Sequence, residues 1–132
     1  MARDHRNLKA FNLADELVLA VYEETRGFPK EELFGLTSQL RRAAVSVAAN
    51  IVEGAGRSGD KEFAHFLGIS HGSLREAGYY ISLAHRLRYL NDQQVEQLNS
   101  MYEETARVLS GLHRAVKKMS KEKPKSIDPE PD

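Results

Sequence analysis

Glu62-Phe63-Ala64-His65 is an E-x-x-H that sets a carboxylate and an imidazole on one helix face, the pairing from which di-iron bundles build their centres. Such a centre needs a second E-x-x-H and a Glu from each of two further helices, and the second E-x-x-H is missing. The pair reads as a solvated helix start, and neither a metal nor another cofactor is expected. The histidines His5, His65, His71, His85 and His113 never recur at the three- or four-residue spacing that grips a metal from one helix face. His71 is near Ser73 and Glu76, but close neighbours on a helix point apart and no nucleophile elbow precedes Ser73. The glycine-rich run from Glu53 to Gly59 has no preceding strand and no G-K-[ST] ending, so it reads as a turn between helices rather than a phosphate loop. No catalytic residue is assigned, and no small-molecule substrate is expected.

A second constellation is polar. Gln39, Arg42, Ser46, Asn50, Glu53 and Arg57 follow one another by helical steps of three and four. In one reading they form a structural network with Ser73 and Glu76, in which Arg42 or Arg57 pairs with Glu53 or Glu76 and Asn50 satisfies backbone on helix three. In the other they line a pore or groove that meets a partner. Cations gather as Arg41, Arg42, Arg57 and Lys61 around the second turn, and as Arg107, His113, Arg114, Lys117, Lys118, Lys121 and Lys123 late in helix four. The late cluster complements a helix C-terminus, and it also suits RNA phosphates. Arg41, Arg42, Arg57, Lys61, Arg114, Lys117 and Lys118 are the candidate nucleic-acid contacts. Asp15, Glu16, Glu23, Glu24, Glu31 and Glu32 gather on helix one and the loop after it, which predicts one acidic and one basic face.

Four stretches of helical periodicity hold these residues, and no alternating strand pattern of useful length occurs. Helix one runs from Leu8 to Thr25 with Asn7 as its cap, and Gly27 and Pro29 stop it. Phe11, Ala14, Leu17, Val18, Val21 and Tyr22 cover most of its circumference. Helix two begins at Thr37 or Ser38 as cap and ends at Glu53, before Gly54 and Gly56. Small residues such as Ala43, Ala44, Ala48 and Ala49 dominate its remaining surface. Helix three, capped by Ser58 or Asp60 and ending near Leu90, places Phe63, Phe66, Leu67, Leu74, Ala77, Ile81, Ala84 and Leu87 in the core. Its Gly68, Gly72 and Gly78 each cost about 1 kcal/mol relative to Ala, which predicts neighbouring backbone packed against them. Asn91 or Asp92 opens helix four, where Val95, Leu98, Tyr102, Thr105, Leu109, Leu112, Val116 and Met119 form a coiled-coil-like seam.

Short connections between these helices predict an all-α, antiparallel up-down four-helix bundle over residues 1–119. Residues 120–132, with three prolines among alternating charges, read as a disordered tail. The apolar excess on helices one and two exceeds the need of one core and predicts burial between subunits. At 132 residues the chain suits one domain. The absence of cysteine excludes disulfide scaffolds and thiol catalysis and fits a cytoplasmic protein. No apolar run reaches the roughly 18 residues of a membrane span, and the charged start lacks the apolar stretch of a signal peptide. Nineteen Lys and Arg balance nineteen Asp and Glu, which argues against a binder that works by bulk charge.

The run from Phe34 to Arg57, with the stretch from Glu62 to Leu87, closely resembles the bacterial four-helix-bundle family encoded within intervening sequences of large-subunit ribosomal RNA genes. The resemblance rests on Phe28-Pro29, Leu36 to Gln39, Arg41 to Ala43, the S-x-x-x-N-I-x-E-G of Ser46, Asn50, Ile51, Glu53 and Gly54, and the G-S-L-x-E of Gly72, Ser73, Leu74 and Glu76. It covers about Phe11 to Leu112. It implies a four-helix bundle assembling into a ring-like homopentamer, without enzymatic activity. The family is distantly similar to the accessory variability protein of diversity-generating retroelements, a basic pentamer that binds a reverse transcriptase and nucleic acid. The function expected is a non-catalytic oligomeric scaffold or adaptor that engages RNA or an RNA-associated protein. The alternative is a purely structural protein-binding module whose polar stripe fixes the assembly.

Overall fold

Apolar residues spaced by three and four along each segment fold as amphipathic helices that bury their stripes against one another. The computed structural model describes residues 2–122, and among them no strand occurs. Helix α1 spans Lys9–Thr25, α2 Leu36–Ala55, α3 Asp60–Arg86 and α4 Asp92–Glu122, with short 3-10 turns at His5–Asn7 and Lys30–Glu32. The packing is antiparallel between neighbours. Ser46 meets Ser73 and Val47 meets Ser70 across α2 and α3, while Gly78 meets Tyr102 and Gly68 meets His113 across α3 and α4. The end of α1 touches the start of α2 through Arg41 and Thr25, and the start of α4 through Glu24 and Gln94. Close backbone approaches therefore run round the bundle, and among the described residues none links the diagonal pairs α1–α3 and α2–α4, which meet only through the shared core.

The core holds Leu17 and Val21 of α1, Leu40, Val47 and Ile51 of α2, Phe63, Leu67, Leu74 and Ile81 of α3, and Leu98, Leu109 and Val116 of α4. Each such side chain stabilises the fold by about 1.5–3 kcal/mol through burial. Three expected core positions sit elsewhere. Phe66 is half-buried, Leu87 is 46% exposed and Met119 is 42% exposed. For Leu87 the reason is local: α3 stops at Arg86, and Arg88 adopts a left-handed φ of 65° that turns the chain before Leu90.

The helix starts differ from their sequence signals. Leu8, not Asn7, occupies the cap position of α1, and no side chain caps it. Helix α2 starts at Leu36 because the Glu32 carboxylate, four residues upstream, accepts the Leu36 N–H at 3.1 Å. Thr37 is thereby drawn inside, buried with an unpartnered Oγ1. Gly59 takes the cap position of α3, and neither Ser58 nor Asp60 caps it. Only α4 opens on a capping box, in which Asn91 Oδ1 accepts from the Gln94 N–H and Gln94 Oε1 from the Asn91 N–H, both at 2.8 Å. That helix runs on through Ser120 to Glu122, three residues past Met119, and the rest of the expected tail lies outside the described residues. The glycines of α3 meet side chains rather than backbone: Tyr102 lies against Gly78 and His113 against Gly68, while Gly72 faces open space.

Candidate nucleic-acid interface

Antiparallel packing decides which cations meet. Gly68 faces His113, so Lys61, seven residues before Gly68, lies level with Ser120, seven residues beyond His113. The turn from α2 into α3 thus presents Arg57 and Lys61 at the end of the bundle where α4 carries Arg114, Lys117, Lys118 and Lys121. Arg57, Lys61, Glu62, His65 and Phe66 line one shallow groove there, and Arg114, Lys117, Lys118 and Lys121 line another. From Thr105 to Lys121 the chain contains no acidic residue. Arg107, Arg114, Lys118 and Lys121 recur by steps that keep them on the exposed face of α4.

Local contacts hold this surface in shape. Arg57 donates to Glu53 Oε1 at 2.5 Å while its guanidinium covers the Phe66 ring at 5.0 Å. On the same end Arg3 donates to Asp60 Oδ1 at 2.7 Å and stands over the Phe63 ring. Glu62 and His65, the E-x-x-H pair, are both exposed on the groove rim.

The four cations grouped around the second turn by sequence fall apart in space. Arg57 lies in the turn beyond α2, while Arg41 lies fourteen residues before Ala55, the last residue of that helix, about 21 Å at 1.5 Å per residue. Its Nε donates to Thr25 Oγ1 at 2.8 Å and its guanidinium stacks on Tyr22, so it ties α2 to α1 at the opposite end. Arg42, the next residue, points to a different face and lines the seam between α2 and α3.

That seam gathers most of the polar line. Ser46 and Ser73 hydroxyls share a 2.7 Å hydrogen bond, and Asn50 Nδ2 donates to the Ser46 carbonyl at 2.8 Å and to its Oγ at 3.0 Å. Asn50 therefore serves its own helix rather than the backbone of α3. Gln39, Arg42 and Glu76 rim the shallow groove above. Arg57 and Glu53 pair with each other at the end of the line, away from Glu76.

Sequence spacing within one helix missed a further pair. His71 and His113 come together across α3 and α4 with ring centroids 5.3 Å apart. Burial pushes both below the usual imidazole range, with the positive charges of His113 and then Arg75 acting on His71 and that of Lys117 on His113. Such a pair is visible only once the register of the two helices is known.

Residues 6–111 match the family described as 23S rRNA-intervening sequence protein. The chain belongs to that family. Its fold is similar to the solved structure of a protein with unknown function from the S23 ribosomal protein family of Bacteroides thetaiotaomicron, with a TM-score of 0.73 at 22% identity. The likeness covers 80% of this chain and 95% of the other. At that identity it shows the shared fold alone. No curated protein matches this intervening-sequence family member. Among its described residues no helix is long and apolar enough to cross a membrane.

Proposed function

We propose that this protein is a non-catalytic, self-assembling scaffold that carries RNA on the basic end of its bundle. The observation that supports the reading is the return of α4, which sets Arg114, Lys117, Lys118 and Lys121 at the same end of the bundle as the Arg57 and Lys61 turn, with no acid between Thr105 and Lys121. Phosphate backbones are recognised by such clusters even when net charge is zero, because the field is local. The family's tie to 23S rRNA makes structured ribosomal RNA the first ligand to test. Assembly as a homopentameric ring is what the family resemblance implies, and exposed Val45, Val52, Ile69 and Tyr79 supply apolar surface for it.

Equilibrium binding to a ribosomal RNA fragment across a salt series, with a DNA duplex as control, tests this. Affinity should fall steeply with salt and favour RNA, and reversing Arg114, Lys117 and Lys118 to Glu should weaken binding and flatten the slope by about 0.9 per lost phosphate contact. Unchanged affinity and slope in that triple variant would sink the assignment.

A second reading is a protein-binding module without nucleic-acid affinity. It is favoured by Phe34, which is 93% exposed on a loop held by the Glu32 carboxylate. That carboxylate accepts both the Leu36 N–H and the Tyr89 phenol. Absence of RNA binding at low salt would move the account to this module, and replacing Asn50 or Glu53 would then change assembly mass or stability.

A further inference from the structure

The antiparallel packing of α3 and α4 brings the rings of His71 and His113 to a centroid separation of 5.3 Å, their planes inclined at 33°. Two imidazoles bound at 2.0–2.1 Å to one tetrahedral ion hold their centroids about 5.2 Å apart. The observed spacing is compatible with one ion shared between the rings. The Ala64 carbonyl favours a proton on the His113 ring, against the larger effects of burial and Lys117. Gly68, one turn on from Ala64, packs against the ring: a Cβ there would lie in ordinary contact, 3.6 Å from His113 Cε1. A ring proton directed at a carbonyl fixes the tautomer and leaves the second nitrogen with its lone pair, as in metal-binding histidines.

We propose that His71 and His113 form an inter-helix site for one borderline transition-metal dication, Zn2+, Ni2+ or Cu2+, each ring contributing one nitrogen. Among the described residues no group of three or more His, Cys, Asp or Glu forms a metal cage, so the site is open and water completes the coordination. Both rings are half-buried and held neutral by that burial, which is the protonation state that ligates. Arg75 and Lys117 stand close enough to act on the two rings, and their charges oppose a bound cation. Bonds to nitrogen must therefore supply the affinity. That favours ions late in the Irving–Williams order and rejects Mg2+ and Ca2+, which take oxygen ligands.

The test uses the full chain, free of any affinity tag, titrated with ZnCl2 or NiCl2 at neutral pH by calorimetry and thermal denaturation. One ion per chain should bind in the micromolar range and raise Tm, while MgCl2 and CaCl2 do neither. His71→Ala and His113→Ala should each weaken binding by about tenfold or more, and His85→Ala, at the other end of the bundle, should leave it unchanged. Zn2+ binding that survives both single substitutions, or no binding below millimolar metal, overturns the proposal. If the variants fail to fold, the wild-type chain with one equivalent of CuCl2 decides: an electron paramagnetic resonance spectrum with two imidazole nitrogens per ion supports the site, and any other coordination overturns it.

Discussion

Gly54 of α2 and Phe66 of α3 meet at a distance that only hydrogen permits: a Cβ on Gly54 would lie 2.8 Å from the Phe66 Cβ and as close to the Phe63 ring. Neither neighbouring atom is the free end of a flexible chain, so Gly54→Ala forces the helices apart. Overpacking of this kind costs about 1–3 kcal/mol, against at most about 1 kcal/mol gained from the helix propensity of Ala. Gly72, with no atom within 4 Å of its missing Cβ, is the contrasting case. Gly72→Ala should stabilise by about 0.5–1 kcal/mol. Thermal denaturation should show Tm shifts of opposite sign, and a raised Tm for Gly54→Ala would contradict the close approach.

The Ser46 and Ser73 hydroxyls, 2.7 Å apart, link α2 to α3 with Asn50 as a third member. Ser73 is buried, so Ser46→Ala strands its hydroxyl, whereas Ser73→Ala leaves the half-buried Ser46 hydroxyl with Asn50 Nδ2 as its partner. Each change should cost about 1 kcal/mol. The double variant should cost less than the sum, with a coupling of about 0.5–1 kcal/mol in a double-mutant cycle by chemical denaturation. Strict additivity would mean that the two hydroxyls do not share a bond in solution.

Why four helices are legible in this sequence, while their ends and neighbours are not, follows from where the determining groups lie. Leu98, Thr105, Leu109 and Val116, spaced by seven, four and seven residues, lie on one stripe of one segment, and they are buried as that spacing demands. The start of α2 depends on a carboxylate outside the helix, Glu32, and so Thr37 looks like a cap while being a buried interior residue. Glycines carry the same ambiguity. Gly54 reads as a stop and is a point of closest approach, whereas Gly72 reads as a close approach and faces open space. Arg41 and Arg57 look like one cluster in a sequence line, and the length of α2 separates them. His71 and His113 look unrelated, and helix register joins them.

That histidine pair should make stability depend on pH. Burial and neighbouring positive charge set both imidazoles below their usual range in the folded chain, while the unfolded chain protonates them near pH 6.5. Protons therefore bind the unfolded state more tightly, so stability is full above about pH 6.5 and declines as pH falls through that value toward the folded ones. Tm should drop as pH falls below about 6.5, and the drop should be shallower when both residues are Gln. Asp4 acts in a separate window. Hydrogen bonds from the Arg6 side chain and backbone hold its carboxyl down at about 2 from an ordinary 3.8. Its contribution is present above the ordinary value and lost as pH falls toward 2, so Asp4→Asn should alter Tm at neutral pH but leave the histidine step in place. An unchanged profile in the double Gln variant would assign the acid step to other groups.

Arg41 and the basic end should separate stability from RNA binding. Arg41→Ala removes a hydrogen bond to buried Thr25 and the stacking on Tyr22, a loss of about 1–2 kcal/mol. It should leave RNA affinity unchanged, because Arg41 stands at the far end of α2. Lys61→Glu with Lys121→Glu should do the reverse. Both side chains are exposed, and an acid in the first turn of α3 complements the helix dipole while one in the last turn of α4 opposes it, so the two effects offset and Tm should hardly move. Affinity for a ribosomal RNA fragment should fall, and the salt slope should flatten by about two units if both lysines contact phosphates. Paired measurements of Tm and of affinity at several salt concentrations check this. Loss of RNA affinity in Arg41→Ala with full affinity in the lysine variant would place the contact surface at the opposite end of the bundle.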